Sequence, residues 1–396
     1  MNRLLLTAIA FVSYMIMSGL LTQIGVILNA VSSSLNATPA ATVGVFSWLT
    51  GGALCGTFAS LFLYARHSLK QVLIANYTLF LAIMLVLVVV APTTYWPLAI
   101  LLWGLGVGCG CGLAGGAVVL SKTYHEAKRA SAFLATDCAF SAAGFIFPSL
   151  AAVIIAAQID WVYSYGAVGA LALVLWATLF FVRFPATEAD DTNAASALSQ
   201  FKRVLTPRVC LIALGVCAYL IAQTTFLTWS PNYLQHTFGV SEKVSAQAVG
   251  NYWGMSIFGL ITAAIFVNKI PQRSLLMLVT VLASLITFTF MLASSAEWFL
   301  FTSYLFGFTT TCIYKIAISV GSQQLASAPA VLVTFLLFSG NVGSTIAPIL
   351  SGWVVQLFGV QSAIIMTWVG YTFVALVFGF CLLLSLLCAH TASHNF

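Results

Sequence analysis

The sequence predicts an all-α integral membrane protein with twelve transmembrane helices in two pseudo-symmetric six-helix bundles. Three observations predict this fold: an apolar composition, twelve apolar runs of helical length, and a weak internal repeat. Of the 396 residues, 61% are hydrophobic and 6% are charged, and the mean hydropathy is +1.06. Because about a quarter of the residues in a soluble domain are charged, most of this surface must face lipid.

Each apolar run is long enough for a helix that crosses a bilayer, which takes about 20 residues. Barrel strands need only about ten residues and alternate apolar with polar side chains, so helices are predicted. The first six runs are approximately Leu4–Val31, Ala40–Tyr64, Leu69–Ala91, Tyr95–Ser121, Ser131–Ala156 and Trp161–Val182. The second six are approximately Val209–Gln235, Ser245–Val267, Ser274–Ser294, Trp298–Gln323, Ala330–Leu357 and Ser362–Cys388.

The longest hydrophilic segment, FPATEADDTNAASALSQFKRVLTP, follows the sixth run and has the composition of a charged, flexible linker. It predicts an N-terminal six-helix bundle at 1–183, a linker at 184–207 and a C-terminal six-helix bundle at 208–396.

A weak repeat relates the two halves. Shifting the chain by about 200 residues places Tyr14 on Tyr219, Trp48 on Trp253, and Pro148 on Pro348. The common order of these matches predicts a parallel duplication of a six-helix unit, which is an architecture of transporters.

Basic residues near the ends of the spans predict the orientation, because they are retained on the cytoplasmic side. With the amino terminus inside, twelve Lys and Arg residues fall on that side and Lys243 on the other. The twelve are Arg3, Arg66, Lys70, Lys122, Lys128, Arg129, Arg183, Lys202, Arg203, Arg208, Lys269 and Arg273. Both termini and the linker are therefore predicted to be cytoplasmic, and the net charge of +6 reflects topology rather than nucleic-acid binding.

The stretches ATDCAFSAAGFIFPSLAA (135–152) and IYKIAISVGSQQ (313–324) carry a family resemblance. Through them the chain resembles the major facilitator superfamily and, within it, the TsgA-like proteins of bacterial inner membranes, relatives of the fucose permease group. The resemblance implies two bundles that rock about a central cavity lined mainly by spans 1, 4, 7 and 10. Two features of related transporters are missing from this chain. Span 4 lacks the arginine that drug/proton antiporters of the superfamily carry there, and spans 1 and 4 lack the acidic residues of the sugar symporters.

Two charged residues lie deep within the predicted spans. Asp137 lies roughly 10 Å inside a hydrocarbon layer of about 30 Å if span 5 begins near Ser131, and Lys315 in span 10 lies at a similar depth. Asp137 shares a helix face with Ser141, Gly144 and Pro148. Because intramembrane charges mark ion, proton or substrate paths, we expect Asp137 and Lys315 to approach each other across the interface between the halves.

Three interpretations of this pair remain open on the sequence. In the first, the pair is a static ion pair in which each charge offsets the cost of removing the other from water. In the second, Asp137 is a proton-responsive group that couples its protonation to the rocking of the two bundles. In the third, Lys315 binds an anionic substrate and Asp137 is its counter-ion when the site is empty.

Other polar residues are candidates for a substrate cavity, although such side chains also serve as hydrogen-bond contacts between helices. They are Gln23, Gln223, Trp229, Asn251, Tyr314 and Asn341. The prolines within spans are candidate hinges, because each frees backbone groups that must be satisfied elsewhere; they are Pro148, Pro231 and Pro348. The motif Gly110-x-Gly112-x-x-Gly115 fits a dinucleotide fingerprint, but no strand precedes it, so it predicts close helix packing.

We therefore expect a secondary active transporter that moves a small polar solute, with anions favoured, by alternating access with proton coupling through Asp137 and Lys315. The alternatives are a passive facilitator with a structural pair and a non-transporting membrane sensor. No enzyme constellation or metal-ligand pattern is present in the sequence, so we expect neither catalysis nor a cofactor. The expected partners are a small-molecule substrate, protons and the lipid of the inner (plasma) membrane, with no nucleic acid, and the expected oligomeric state is a monomer.

Overall fold

The computed structural model describes residues 2–124, 126–184, 205–266, 269–324 and 330–393, which form helices joined by short turns. Those of the first half are α1 Asn2–Thr22, α2 Ile24–Ser34, α3 Pro39–Thr42, α4 Phe46–Arg66, α5 Leu69–Val90, α6 Tyr95–Thr123, α7 Glu126–Ala156 and α8 Val162–Phe181, with a 3₁₀ turn at Val43–Val45. Those of the second half are α9 Pro207–Phe238, α10 Glu242–Ser245, α11 Gln247–Phe266, α12 Gln272–Met291, α13 Ala296–Thr310, α14 Ile313–Ser322, α15 Ala330–Phe358 and α16 Gln361–Ser393.

Within the described residues, twelve helices are long and apolar enough to cross a membrane. Spans 1 to 6 are α1 with α2, α3 with α4, α5, α6, α7 and α8. Spans 7 to 12 are α9, α10 with α11, α12, α13 with α14, α15 and α16. The predicted fold class is confirmed, and the spans follow the predicted order. Residues 185–204 of the predicted linker lie outside the described part of the chain.

Local sequence sets several span ends. The hydroxyls of Ser68, Thr206 and Ser295 accept hydrogen bonds from backbone N–H groups in the first turns of spans 3, 7 and 10. These contacts satisfy donors that a helix start leaves unpaired. Span 7 ends at Gly239 with φ +66°, and span 11 is followed by Gly359 with φ +82°, left-handed conformations that favour glycine.

The packing of the helices repeats after six spans. Span 2 packs along span 4 as span 8 packs along span 10, and span 3 packs on span 6 as span 9 packs on span 12. Span 1 packs on span 5 as span 7 packs on span 11. The shared pattern supports the duplication predicted from the sequence and defines a first bundle (spans 1–6) and a second bundle (spans 7–12).

Glycine brings the paired backbones together at equivalent places in both bundles. A Cβ atom added at Gly110 in span 4 would clash with the carbonyl oxygen of Ala53 in span 2. In the second bundle, a Cβ at Gly307 in span 10 would clash with the carbonyl oxygen of Tyr252 in span 8. The glycine motif of span 4 thus serves close helix packing, as predicted.

The spans end at two faces of the molecule. Because twelve spans is an even number, span 1 begins and span 12 ends at the same face. We call this face, with Arg3, Arg66, Arg208 and Arg273 near it, the basic face, and the other the opposite face.

The two bundles contact each other from the opposite face to about the middle of the spans. There α2 packs against span 7, where a Cβ at Gly25 would clash with the carbonyl oxygen of Leu227. Span 5 packs along span 8, with Gly144 against the indole of Trp253, and α3 packs against span 11. These contacts close the gap between the bundles on the side of the opposite face.

Candidate functional site

The structure brings the two intramembrane charges together. Lys315 Nζ lies 3.2 Å from Asp137 Oδ2, and the side chains are 46% and 19% exposed, respectively. Span 5 belongs to the first bundle and span 10 to the second, so this ion pair joins the two halves. It lies on the basic-face side of the packed interface described above.

Span 5 presents Asp137 on the face that packs against the second bundle. Ser141, Gly144 and Pro148, predicted to share this face, are all buried. Because glycine at 144 leaves room for the indole of Trp253, span 5 can approach span 8 closely. This approach directs the carboxylate of Asp137 towards span 10.

A break in span 10 positions Lys315. The helix is interrupted at residues 311–312, between α13 and α14, and Lys315 lies in the first turn of α14. The hydroxyls of Thr310 and Thr311 donate to the carbonyls of Phe306 and Gly307 one turn earlier. Such hydroxyl contacts bend helices. Thr311 and Cys312 keep right-handed helical backbone angles, so span 10 continues through this irregular turn to Lys315.

Two tyrosines complete the cluster. Tyr14 of span 1 lies within electrostatic range of Asp137. Tyr314, a predicted cavity residue, is coupled electrostatically to Asp137 and Tyr14, and its ring centroid lies 5.7 Å from Lys315 Nζ. We call Tyr14, Asp137, Tyr314 and Lys315 the charge cluster. Tyr14 was not predicted as a site residue, and its match with Tyr219 in the repeat indicated only the duplication.

A second polar group lies deeper in the second bundle. The predicted cavity residue Gln223 of span 7 donates to the Tyr252 hydroxyl of span 8, and that hydroxyl lies 3.2 Å from the hydroxyl of Thr310 in span 10. The nearby Asn251 donates to the carbonyl of Leu300 at 3.1 Å. Both predicted residues therefore have partners between helices, and Thr310 connects this group to the break next to Lys315.

Of the remaining predicted cavity residues, Gln23 and Trp229 are enclosed within their own bundles, whereas Asn341 adjoins Gly340, where an added Cβ would meet the Tyr314 ring. Gln23 is fully buried between α1 and α2 and donates to the carbonyl of Gly19 at 2.6 Å. Trp229 is fully buried within the second bundle, where its indole N–H donates to Ser351 Oγ at 2.9 Å. Asn341 is half-buried in span 11. The first two are placed as packing residues within their bundles.

The candidate hinge prolines lie inside continuous helices. Pro148, Pro231 and Pro348 are buried within α7, α9 and α15, which run on beyond each of them. The described spans are interrupted at Gln23, at the 3₁₀ turn Val43–Val45, at Ala246 and at residues 311–312, where no proline is present.

A model of the Major Facilitator Superfamily matches residues 4–336 of the chain. Among curated proteins, the chain is similar to the Protein TsgA homolog of Yersinia pestis (strain Pestoides F), with 28% identity over 371 residues, 92% of this chain and 91% of the relative. The TsgA homolog of Yersinia enterocolitica is 26% identical over 363 residues, again 92% and 91% of the two chains.

Solved structures of transporters share the fold. The nucleoside transporter NupG has a TM-score of 0.75 at 13% identity, with 96% of this chain and 99% of that chain covered. A D-xylose-proton symporter has a TM-score of 0.76 at 14% identity, with 96% and 97% covered. A variant of the E. coli fucose:proton symporter FucP has a TM-score of 0.66 at 14% identity, with 96% and 99% covered. At these identities the likeness concerns the fold alone.

Proposed function

The chain belongs to the Major Facilitator Superfamily, and on that premise we propose that it is a proton-coupled secondary transporter of a small polar solute, with an anionic solute favoured. The 3.2 Å ion pair that joins the two bundles carries this proposal. A charge inside a membrane is costly and is found where ions, protons or substrates pass. An ion pair between two moving bodies must also be broken or rebuilt when they move.

The orientation follows from the basic residues. We propose that the basic face is cytoplasmic in a bacterial inner membrane, since Lys and Arg near span ends are retained on that side. The rocking bodies would be residues 1–183 and 208–396, joined by a linker at 184–207. The bundle contacts near the opposite face then correspond to a conformation closed to the outside, in which the charge cluster is reached from the cytoplasm.

Charge balance suggests how protons and an anion are coupled. In the empty site, the Asp137 carboxylate neutralises the Lys315 ammonium. When an anion binds Lys315, Asp137 loses its cationic partner and takes up a proton, so the occupied site again has no net charge. Either event alone leaves one uncompensated charge in a low-dielectric region, which is costly. The anion and the proton therefore cross together, as symport.

The tyrosines have a supporting role in this scheme. Tyr14 and Tyr314 lie within electrostatic range of Asp137, and a phenol can donate a hydrogen bond to a carboxylate or to a bound anion. Proton symport by structural relatives, namely the D-xylose-proton symporter and the fucose:proton symporter, is consistent with the proposal.

The test is uptake of labelled sugars, carboxylates and amino compounds by proteoliposomes with and without a pH gradient, because symport of one monovalent anion with one proton carries no net charge and gives no current. We expect a carboxylate to be taken up at a rate that depends on the pH gradient, with the proton movement followed by an entrapped pH-sensitive dye. The variant Asp137→Asn should lose gradient-driven transport and keep exchange of substrate across the membrane. The matched control is Asp160→Asn, since Asp160 is an exposed loop acid that accepts from the Val162 N–H, which Asn can also do.

Three results would contradict the proposal. If a substrate crosses at a rate that ignores the pH gradient, the protein is a passive facilitator with a structural pair. If Asp137→Asn responds to the pH gradient as the wild type does, Asp137 is a structural residue and not the coupling group. If ligands bind without crossing, it is a membrane sensor.

A further inference from the structure

Two phenol rings, one from each bundle, belong to the charge cluster. Tyr14 of span 1 and Tyr314 of span 10 both lie within electrostatic range of Asp137, and the Tyr314 ring centroid lies 5.7 Å from Lys315 Nζ. Gly340 of span 11 leaves room for the Tyr314 ring, since a Cβ added there would lie 2.8 Å from its Cε2 atom. Aromatic surface from both halves therefore borders the ion pair.

A second pair of rings joins the bundles further from the basic face. Phe140 lies one helical turn beyond Asp137 in span 5, and its ring centroid is 5.4 Å from a ring centroid of Trp253 in span 8. Ser18 of span 1 donates to the Phe140 carbonyl at 2.6 Å, which holds span 5 at this level. The indole N–H of Trp253 is buried and has no hydrogen-bond partner among the described residues. An unpaired buried donor is costly, and an acceptor on a ligand would remove that cost.

These four rings differ from the aromatic core of the second bundle. In that core, Phe226 and Phe306 pack against each other and are fully buried inside one bundle. The rings near the ion pair come from spans 1, 5, 8 and 10, and those of Tyr14, Phe140 and Tyr314 are half-buried. Rings shared between two bodies that move apart can exchange their contacts for contacts with a ligand.

The polar groups of this region suit an anion. The Lys315 ammonium, the two phenols and the Trp253 indole can all donate hydrogen bonds. Gln223 and Asn251, which were predicted to line the cavity, donate instead to partners inside the second bundle. A carboxylate only accepts hydrogen bonds, so it matches this set of donors better than a solute rich in hydroxyl groups, which also needs acceptors.

We propose that the substrate is an aromatic carboxylate, whose carboxylate binds the Lys315 ammonium and whose ring packs against the four aromatic side chains beside it. The inference rests on the proposed function and narrows the anion to a chemical class. Aromatic rings favour offset and edge-to-face packing with one another, and such pairs gain free energy beyond the burial of their area.

The test is binding of benzoate to the full-length protein in detergent, measured by isothermal titration calorimetry. Binding is measured rather than uptake, because uncharged benzoic acid crosses liposomes unaided. Acetate lacks the ring, cyclohexanecarboxylate has a ring that is not aromatic, and benzamide has the aromatic ring without the charge. We expect benzoate to bind at least about tenfold more tightly than acetate and about threefold to tenfold more tightly than cyclohexanecarboxylate. Benzamide should not bind.

Variants locate the binding. Lys315→Gln should abolish binding of benzoate. Phe140→Leu and Trp253→Leu should each lower the affinity for benzoate by about threefold to tenfold and leave that for acetate unchanged. The matched control is Trp353→Leu, which removes a tryptophan that is 65% exposed on span 11 and should bind benzoate as the wild type does. If Trp253→Leu does not fold, Phe140→Leu carries the test.

Three results would overturn the inference. They are no binding of benzoate, binding of acetate or cyclohexanecarboxylate as tight as that of benzoate, and an unchanged preference for benzoate in the Phe140→Leu and Trp253→Leu variants.

Proton uptake separates these results from a failure of the proposed function. Titrations in buffers of different ionisation enthalpy report the protons taken up on binding. Acetate that binds as tightly as benzoate and with proton uptake would refute the aromatic class and leave proton coupling standing. Selective binding of benzoate without proton uptake would refute the coupling and leave the aromatic site standing.

Discussion

At the scale of single residues, neutralising one member of the ion pair should cost stability. Lys315→Met leaves the Asp137 carboxylate without its cation, and we expect a loss of about 1–3 kcal/mol in the free energy of unfolding. Because the Lys315 side chain is exposed, solvent screens the ion pair, and we expect a loss near the lower end of this range. Thermal unfolding in detergent measures it.

The double variant Asp137→Asn/Lys315→Met is the companion measurement. With both charges removed, neither is left without a partner, so stability should return towards that of the wild type while coupled transport remains absent. A double variant no more stable than Lys315→Met would contradict this account of the pair.

Tyr14 and Tyr219 provide a second test at this scale, because the repeat relates them. Tyr14→Phe removes a hydroxyl of the charge cluster, so we expect the pH dependence of transport to shift with little change in melting temperature. Tyr219→Phe removes a buried donor to the Thr310 carbonyl and should cost about 1 kcal/mol of stability without shifting the pH dependence. Equal effects of the two variants on pH dependence would refute a special role for Tyr14.

The sequence allowed the two charged residues to be found, because a Lys or Asp inside an apolar span is rare and costly. It did not reveal Tyr14, since a tyrosine is compatible with any half-buried position in a span. Nor could it show that Trp229 donates to Ser351 and Gln23 to Gly19, because a polar group that points into a cavity and one with a partner inside the bundle have the same sequence spacing.

At the scale of helices, the close approach of spans 8 and 10 depends on glycine. Gly307→Ala would place a Cβ against the Tyr252 carbonyl, and Gly259→Ala would place one against the Phe308 carbonyl. Since backbone cannot move aside as a side chain can, we expect each variant to lower the melting temperature and the yield of folded protein.

The control for this prediction is Gly166→Ala in span 6, where the new Cβ would meet a Val88 methyl carbon at 3.4 Å. That distance is nearly an ordinary contact, so the variant should fold as the wild type does. If all three variants have the same melting temperature and yield of folded protein, the close backbone contact between spans 8 and 10 does not require glycine.

Helix existence and order followed from hydropathy alone, whereas the breaks did not. Next to the interruption at residues 311–312, two threonine hydroxyls bond to the preceding turn, and the sequence shows threonines without showing where their hydroxyls point. The hinge assignment of Pro148, Pro231 and Pro348 stays a prediction, since helices that run through a proline kink there.

At the scale of the whole molecule, alternating access requires the contacts near the opposite face to separate. Asn232 Nδ2 donates to Asn29 Oδ1 at 2.6 Å, and Asn29 Nδ2 donates to Gln235 Oε1 at 2.8 Å, so these amides join α2 to span 7 across the bundles. We expect a disulfide between Asn29→Cys and Asn232→Cys to stop transport and a reductant to restore it.

Transport by proteoliposomes before and after oxidation measures this effect. Each single cysteine variant is the control and should be insensitive to the oxidant. Continued transport by the cross-linked protein would mean that these segments do not part during the cycle.

The repeat allowed the two-bundle architecture to be predicted, but not the conformation. Conformations that differ by rocking of the bundles share one sequence and one set of spans, and they differ in which contacts between the bundles are formed. The sequence therefore could not predict at which face the two bundles are in contact, and only the structure shows this.

Trp253 gives this interface an optical signal. Its indole lies against Gly144 and Phe140 of the other bundle, is 7% exposed, and has no hydrogen-bond partner for its N–H among the described residues. Indole emission depends on the polarity around the ring, so separation of spans 5 and 8 would redden the fluorescence of Trp253, whereas lipid-facing tryptophans such as Trp96 and Trp353 would keep their surroundings. The protein thus carries an intrinsic fluorophore through which movement of its halves can be followed without a label.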